Sequence, residues 1–107
     1  MGAVDWVARA AALAIDGRAV IDGQRVAAAS GETFACISPI DGRVLAPVAR
    51  GAAADIDAAV ASARAAFEDR RWAGKPPAVR KKILQRFAEK ILGAREELAL
   101  LETLDMG

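Results

Sequence analysis

The spacing of apolar side chains changes along the chain, and each change predicts a different kind of element. Between Asp5 and Leu13, Trp6, Ala10 and Leu13 recur at the interval of one helix face. Asp5 stands where an N-cap belongs, and Gly17 is expected to end that helix. β-Prone runs come next. Arg18–Ile21 and Gln24–Ala27 are parted by Asp22-Gly23, and Asp-Gly suits a type I′ turn, whose central residues need positive φ. Thr33–Ile37 is a third strand, stopped by Ser38-Pro39. After a turn at Asp41-Gly42, Arg43–Val48 is a fourth. Pro47 has no N–H to give a ladder, so this strand lies at an edge or ends there.

Beyond Gly51 the repeat is helical. Ile56, Val60, Ala63 and Phe67 share one face. Asp55 and Asp57 near its start, and Arg70 and Arg71 near its end, carry the signs that the helix dipole favours. Trp72–Pro77 reads as a loop, with Pro77 suited to the first turn of the next helix. That helix is expected over Pro77–Leu92, its apolar stripe formed by Ile83, Leu84, Phe87, Ile91 and Leu92, and Gly93 breaks it. A last helix is expected from Arg95 to about Leu104, with Gly107 as a C-terminal cap. One helix, short antiparallel β-hairpins and three further helices make an α+β layout.

Composition alters the picture in two ways. Of 107 residues 54% are hydrophobic, but 27 are alanine, which favours helix and buries little area. A core must therefore rest on Leu, Ile, Val, Phe34, Phe67, Phe87, Trp6 and Trp72. A compact chain of this size would bury roughly 60–70% of its unfolded surface. The formal net charge of +1 offers no field to capture nucleic acid or an anionic membrane. One cysteine, Cys36, and no histidine exclude an internal disulfide, a Cys-His catalytic pair and a His-ligated metal within this chain. No run is long and apolar enough for a secretory or membrane-spanning segment, so the expected location is the cytoplasm.

The residues that could carry chemistry have plainer readings. Arg80-Lys81-Lys82 lies on the polar face of a helix, a solvated face rather than a nucleic-acid site. Cys36 in a strand-like run is expected as a small buried hydrophobe. Asp22 and Asp41 are turn residues. Glu96, Glu97 and Glu102 are solvating charge on a helix rather than an acid–base pair. No glycine-rich phosphate loop is present.

Three stretches carry a family resemblance. Arg18-Ala-Val-Ile-Asp-Gly-Gln-Arg25 is similar to an F-I-N-G-E-W hairpin. Gly31–Arg43 resembles F-x-x-x-N-P-x-x-G, with Ser38 in place of the usual Asn. Leu98-Ala-Leu-Leu-Glu-Thr-Leu-Asp-Met-Gly107 matches L-A-x-L-E-T-L-D-x-G-K-P. Between them, Asp55–Phe67 looks like D-V-D-x-A-V-x-A-A-R-x-A-F. In this order they resemble the N-terminal region of the aldehyde dehydrogenase superfamily. Within it, the leading Trp6 helix, the Gly17-Arg18 pair and the ending Leu-Asp-Met-Gly107 resemble the bacterial γ-glutamyl-γ-aminobutyraldehyde dehydrogenases of putrescine breakdown.

The resemblance implies the N-terminal portion, residues 1–107, of a Rossmann-like cofactor-binding domain. The parent enzyme would oxidise an aldehyde substrate to a carboxylic acid with NAD or NADP, as a homo-oligomer. The family's nucleophilic Cys, general-base Glu, oxyanion-hole Asn and nucleotide loops lie beyond position 107, so the chain is expected to be an inactive fragment. Some members bind a monovalent cation, Na+ or K+, in this region. By resemblance, Ile37 would offer its carbonyl and Asp105 its carboxylate, with Cys36 a weaker candidate through its backbone. Where the family often has a capping Asp stands Ala52, a loss of about 1 kcal/mol unless another residue caps the helix. Apolar helix faces such as Ile83, Phe87 and Ile91 would lack cover and favour aggregation. The alternative is a stand-alone interaction or regulatory module.

Overall fold

Asp5 caps the first helix as its position predicts. Its carboxylate accepts the Ala8 N–H at 2.9 Å, and α1 runs Trp6–Ala12. The computed structural model describes residues 3–107. Gly17 does not end α1. The helix stops because Leu13 turns to extended backbone (ψ 130°). Gly17 instead bridges to Val48, and a Cβ there would run into the carbonyl of Pro47 and come within 2.9 Å of the Val48 Cα. Only glycine lets the two backbones approach so closely.

The hairpin follows the turn chemistry. Strands β1 (Ala19–Ile21) and β2 (Gln24–Val26) pair antiparallel through Asp22 (φ 54°) and Gly23 (φ 71°). Strands β3 (Thr33–Ile37) and β4 (Val44–Ala49) form a second antiparallel pair, irregular between Cys36 and Ile37. Pro47 lies inside β4 opposite Ala35, tolerated because each sheet has only two strands and both are edges.

Helices α2 (Ala53–Glu68), α3 (Pro77–Gly93) and α4 (Arg95–Met106) complete the chain. Ala52 has no side-chain oxygen to cap α2. Asp55 compensates from inside the helix, its carboxylate accepting the Ala52 N–H at 2.9 Å and the Ala29 N–H at 2.8 Å. The dipole role expected of Arg70 and Arg71 is not observed. The turn after α2 puts Arg70 at φ 59°, and Arg71 closes a bidentate pair on Asp69. Pro77 opens α3 as expected. Gly107 (φ 93°) caps α4, donating to the Thr103 carbonyl at 2.9 Å.

The expected core of large side chains does not form within this chain. Trp6, Trp72, Phe34, Phe67 and Phe87 are all exposed, and among the described residues the buried apolar ones are Ala28, Ala46 and Leu104. The molecule is a slab, 48 × 42 × 18 Å. Its radius of gyration is 17.8 Å, against about 13 Å for a compact chain of this length. The exposed surface is 8342 Å², where size scaling gives about 5,700 Å² for a compact fold of this mass. About half of the unfolded surface is buried, not about two thirds. The physical reason is a missing layer: a helix face needs an opposing face to cover it, and α3 makes only slight contact with any other element.

Candidate functional site

The end of β3 meets the end of α4 at the most buried polar group of the described residues. Ser38 is 1% exposed. Its hydroxyl donates to the Leu104 carbonyl at 3.1 Å and accepts the Ile40 N–H at 3.3 Å. The turn around it is closed by Ser38 N–H to the Arg43 carbonyl (2.8 Å) and Gly42 N–H to the Ser38 carbonyl (2.9 Å). Leu104 lies in the last turn of α4, where helical carbonyls lack partners within the helix. The serine hydroxyl supplies one. This tie holds residues 36–38 against residues 104–105.

The three residues singled out for a cation lie at this junction. Cys36 is half-buried, not fully enclosed as expected, and its thiol donates to an Asp105 carboxylate oxygen at 3.4 Å. That hydrogen bond, then burial, then the carboxylate's charge push the thiol's pKa up. A raised thiol pKa leaves little thiolate at neutral pH, so Cys36 is a poor nucleophile. Ile37 follows it, with its side chain turned out to 51% exposure. Among the described residues, no three His, Cys, Asp or Glu side chains cluster as a metal site. The side chains of the junction therefore offer one carboxylate, that of Asp105. The Ser38–Leu104 tie was not visible in the sequence. Its only signal is a small hydroxyl residue just before Pro39.

Several other carboxylates hold local structure. Asp16 takes a bidentate contact from Arg18, with its closest approach at 2.7 Å, and a further contact from Arg25 at 3.1 Å. Hydrogen bonds from the Arg18 side chain and backbone, then from Arg25, hold this carboxyl well below the usual carboxylate range. A group so strongly ionised makes a poor general base at neutral pH. Glu96 pairs with Arg9 at 2.8 Å, which lowers its pKa. Asp22 accepts from the Ser62 hydroxyl at 3.3 Å, and Asp41 accepts the Arg43 N–H at 3.0 Å. No described helix is long and apolar enough to cross a membrane. The sequence holds no glycine-rich G-x-G-x-x-G or G-x-x-x-x-G-K-[ST] turn.

A sequence profile of the aldehyde dehydrogenase family matches residues 26–107. The chain is 45% identical over 102 residues to the NADP/NAD-dependent aldehyde dehydrogenase PuuC of Escherichia coli, covering 95% of this chain and 21% of that protein. It superposes on the indole-3-acetaldehyde dehydrogenase of P. syringae, solved with NAD+ and IAA, with a TM-score of 0.94 and 58% identity, over 96% of this chain and 21% of that one. The γ-glutamyl-γ-aminobutyraldehyde dehydrogenase of Burkholderia cenocepacia matches with a TM-score of 0.92 and 54% identity, over 94% and 20%. The chain thus spans about a fifth of the length of these relatives.

Proposed function

This chain belongs to the aldehyde dehydrogenase family, and we propose that it is the N-terminal portion of the cofactor-binding domain of an enzyme oxidising an aldehyde to a carboxylic acid. The observation that carries this reading is the superposition over 96% of the chain on a dehydrogenase solved with NAD+. NAD or NADP would accept the hydride in the whole enzyme. Residues 1–107 would contribute scaffold, and by themselves no catalysis. In this reading the whole enzyme is a cytoplasmic homo-oligomer.

The aldehyde class we propose is γ-glutamyl-γ-aminobutyraldehyde, supported by the identity to the Burkholderia cenocepacia enzyme of that name. The Ile37 carbonyl and the Asp105 carboxylate would hold Na+ or K+ weakly, since hard cations take several oxygen ligands and this junction supplies few.

The test replaces the matching segment of the P. syringae dehydrogenase with residues 1–107. A soluble chimera that reduces NAD+ on indole-3-acetaldehyde is expected. A folded chimera without that activity would overturn the reading, and so would turnover by the 107-residue chain alone. The substrate proposal is tested on the whole enzyme: a higher kcat/KM for indole-3-acetaldehyde than for γ-glutamyl-γ-aminobutyraldehyde contradicts it. For the cation, line broadening of sodium resonances should weaken in Asp105→Asn; equal broadening removes that site.

A further inference from the structure

Helix α1 is joined to the rest of the molecule in an unusual way. It contains no buried residue. Its neighbour is α4, reached across 87 positions of sequence by the Arg9–Glu96 ion pair at 2.8 Å, with side chains 42% and 54% exposed. Arg9 also stacks over the Trp6 ring, 4.8 Å from its centre, so one guanidinium serves both contacts. Behind α1 the chain runs without helix or strand through residues 13–16 to Gly17. There the Val48 bridge and the Asp16–Arg18 pair fix it.

Beneath α1 lies a cleft of about 310 Å³, bordered by Trp6, Val7, Ala10, Ile40, Leu100 and Leu104, with Ser38 at its floor. The helix thus stands over the junction that joins β3 to α4. We infer that α1 is a latch: it swings on residues 13–16, is held shut by Arg9 on Glu96, and when released opens the Ser38–Leu104 junction to water while the rest of the fold stays intact.

The physical case rests on unequal attachment. Gly17 cannot move freely, because its backbone is pressed on Pro47. In contrast, α1 packs chiefly on α4, with only Ala10 of its residues half-buried and one exposed ion pair across the contact. Such segments open locally at far lower free energy than the whole molecule. An exposed pair is also screened by salt, so the latch loosens as ionic strength rises. The inference does not depend on the aldehyde or cation readings, since it concerns only groups within this chain.

The experiment is hydrogen exchange with mass spectrometry on the 107-residue chain, in Arg9→Glu, Glu96→Arg and the double exchange of both charges. Each single variant should speed exchange of the Arg9–Leu13 amides by roughly two- to fivefold, the range expected for an exposed pair. A smaller rise is expected at the Ser38 and Gly42 amides, with no change in β1 and β2. The double variant should restore the parent rates, and added sodium chloride should speed exchange in the parent but not in an Arg9→Ala chain. Unchanged α1 exchange in the single variants overturns the inference. So does equal acceleration across the whole chain, failure of the double variant to restore protection, or an α1 already unprotected in the parent.

Discussion

Replacing Ser38 by alanine isolates the contact that joins the two halves of the candidate site. The change removes one oxygen from a position 1% exposed to solvent. It leaves the Leu104 carbonyl without its donor and the Ile40 N–H without its acceptor. Ile40 is 57% exposed, so water can serve its N–H in place of the hydroxyl. The Leu104 carbonyl is enclosed, and a buried polar group left unpaired costs about 1–3 kcal/mol. For a chain of this size each kcal/mol moves the melting temperature by roughly 4–8 °C. Ser38→Ala should therefore lower Tm by roughly 4–24 °C, read by circular dichroism. Ser38→Asn offers both a donor and an acceptor and should keep most of the stability. If Ser38→Ala melts within about 1 °C of the parent, a tolerance far below the expected shift, the hydroxyl does not hold the junction and the reasoning fails.

Gly17→Ala, a change that ordinarily stabilises slightly, should here destabilise the chain by more than about 1 kcal/mol, because its Cβ meets the Pro47 backbone; a neutral or stabilising effect in the same melt would show that the two backbones can part. Asp55 has its pKa lowered from 3.8, first by the Ala52 N–H and then by the Ala29 N–H. Its stabilising contribution should be complete above that value and fade as pH falls below it, and Asp55→Asn should flatten this acid limb of the stability profile; an unchanged limb contradicts the capping role. Cys36 should alkylate more slowly than a free thiol at mildly alkaline pH, since the carboxylate of Asp105 raises its pKa. Asp105→Asn should speed the reaction, and equal rates would refute the thiol–carboxylate contact.

Local chemistry was legible in the sequence and packing was not. The type I′ turn at Asp22-Gly23, the Asp5 cap, Pro77 at the start of α3 and Gly107 at the end of α4 depend on one to four residues each. Periodicity placed Ile83, Phe87 and Ile91 on one face but could not supply the surface opposite, and all three are exposed. Gly17 reads as a helix stop because its actual constraint, the Pro47 backbone, lies 30 residues further along. Asp55 reads as a dipole charge because its second partner, Ala29, belongs to a separate loop. For the junction, the resemblance pointed to Ile37 and Asp105. The hydroxyl that brings their segments together came only from the fold.

The slab form has a consequence for how the chain responds to heat and denaturant. Both the heat-capacity change of unfolding and the denaturant m-value scale with the surface newly exposed. A molecule whose folded surface is already 8342 Å² has less left to expose than a compact domain of equal length. Its stability curve against temperature should be shallow and its urea transition broad. Any surface that covers the free faces of α2 and α3 would deepen the curve and sharpen the transition together, so steepness itself reports whether the missing layer is in place.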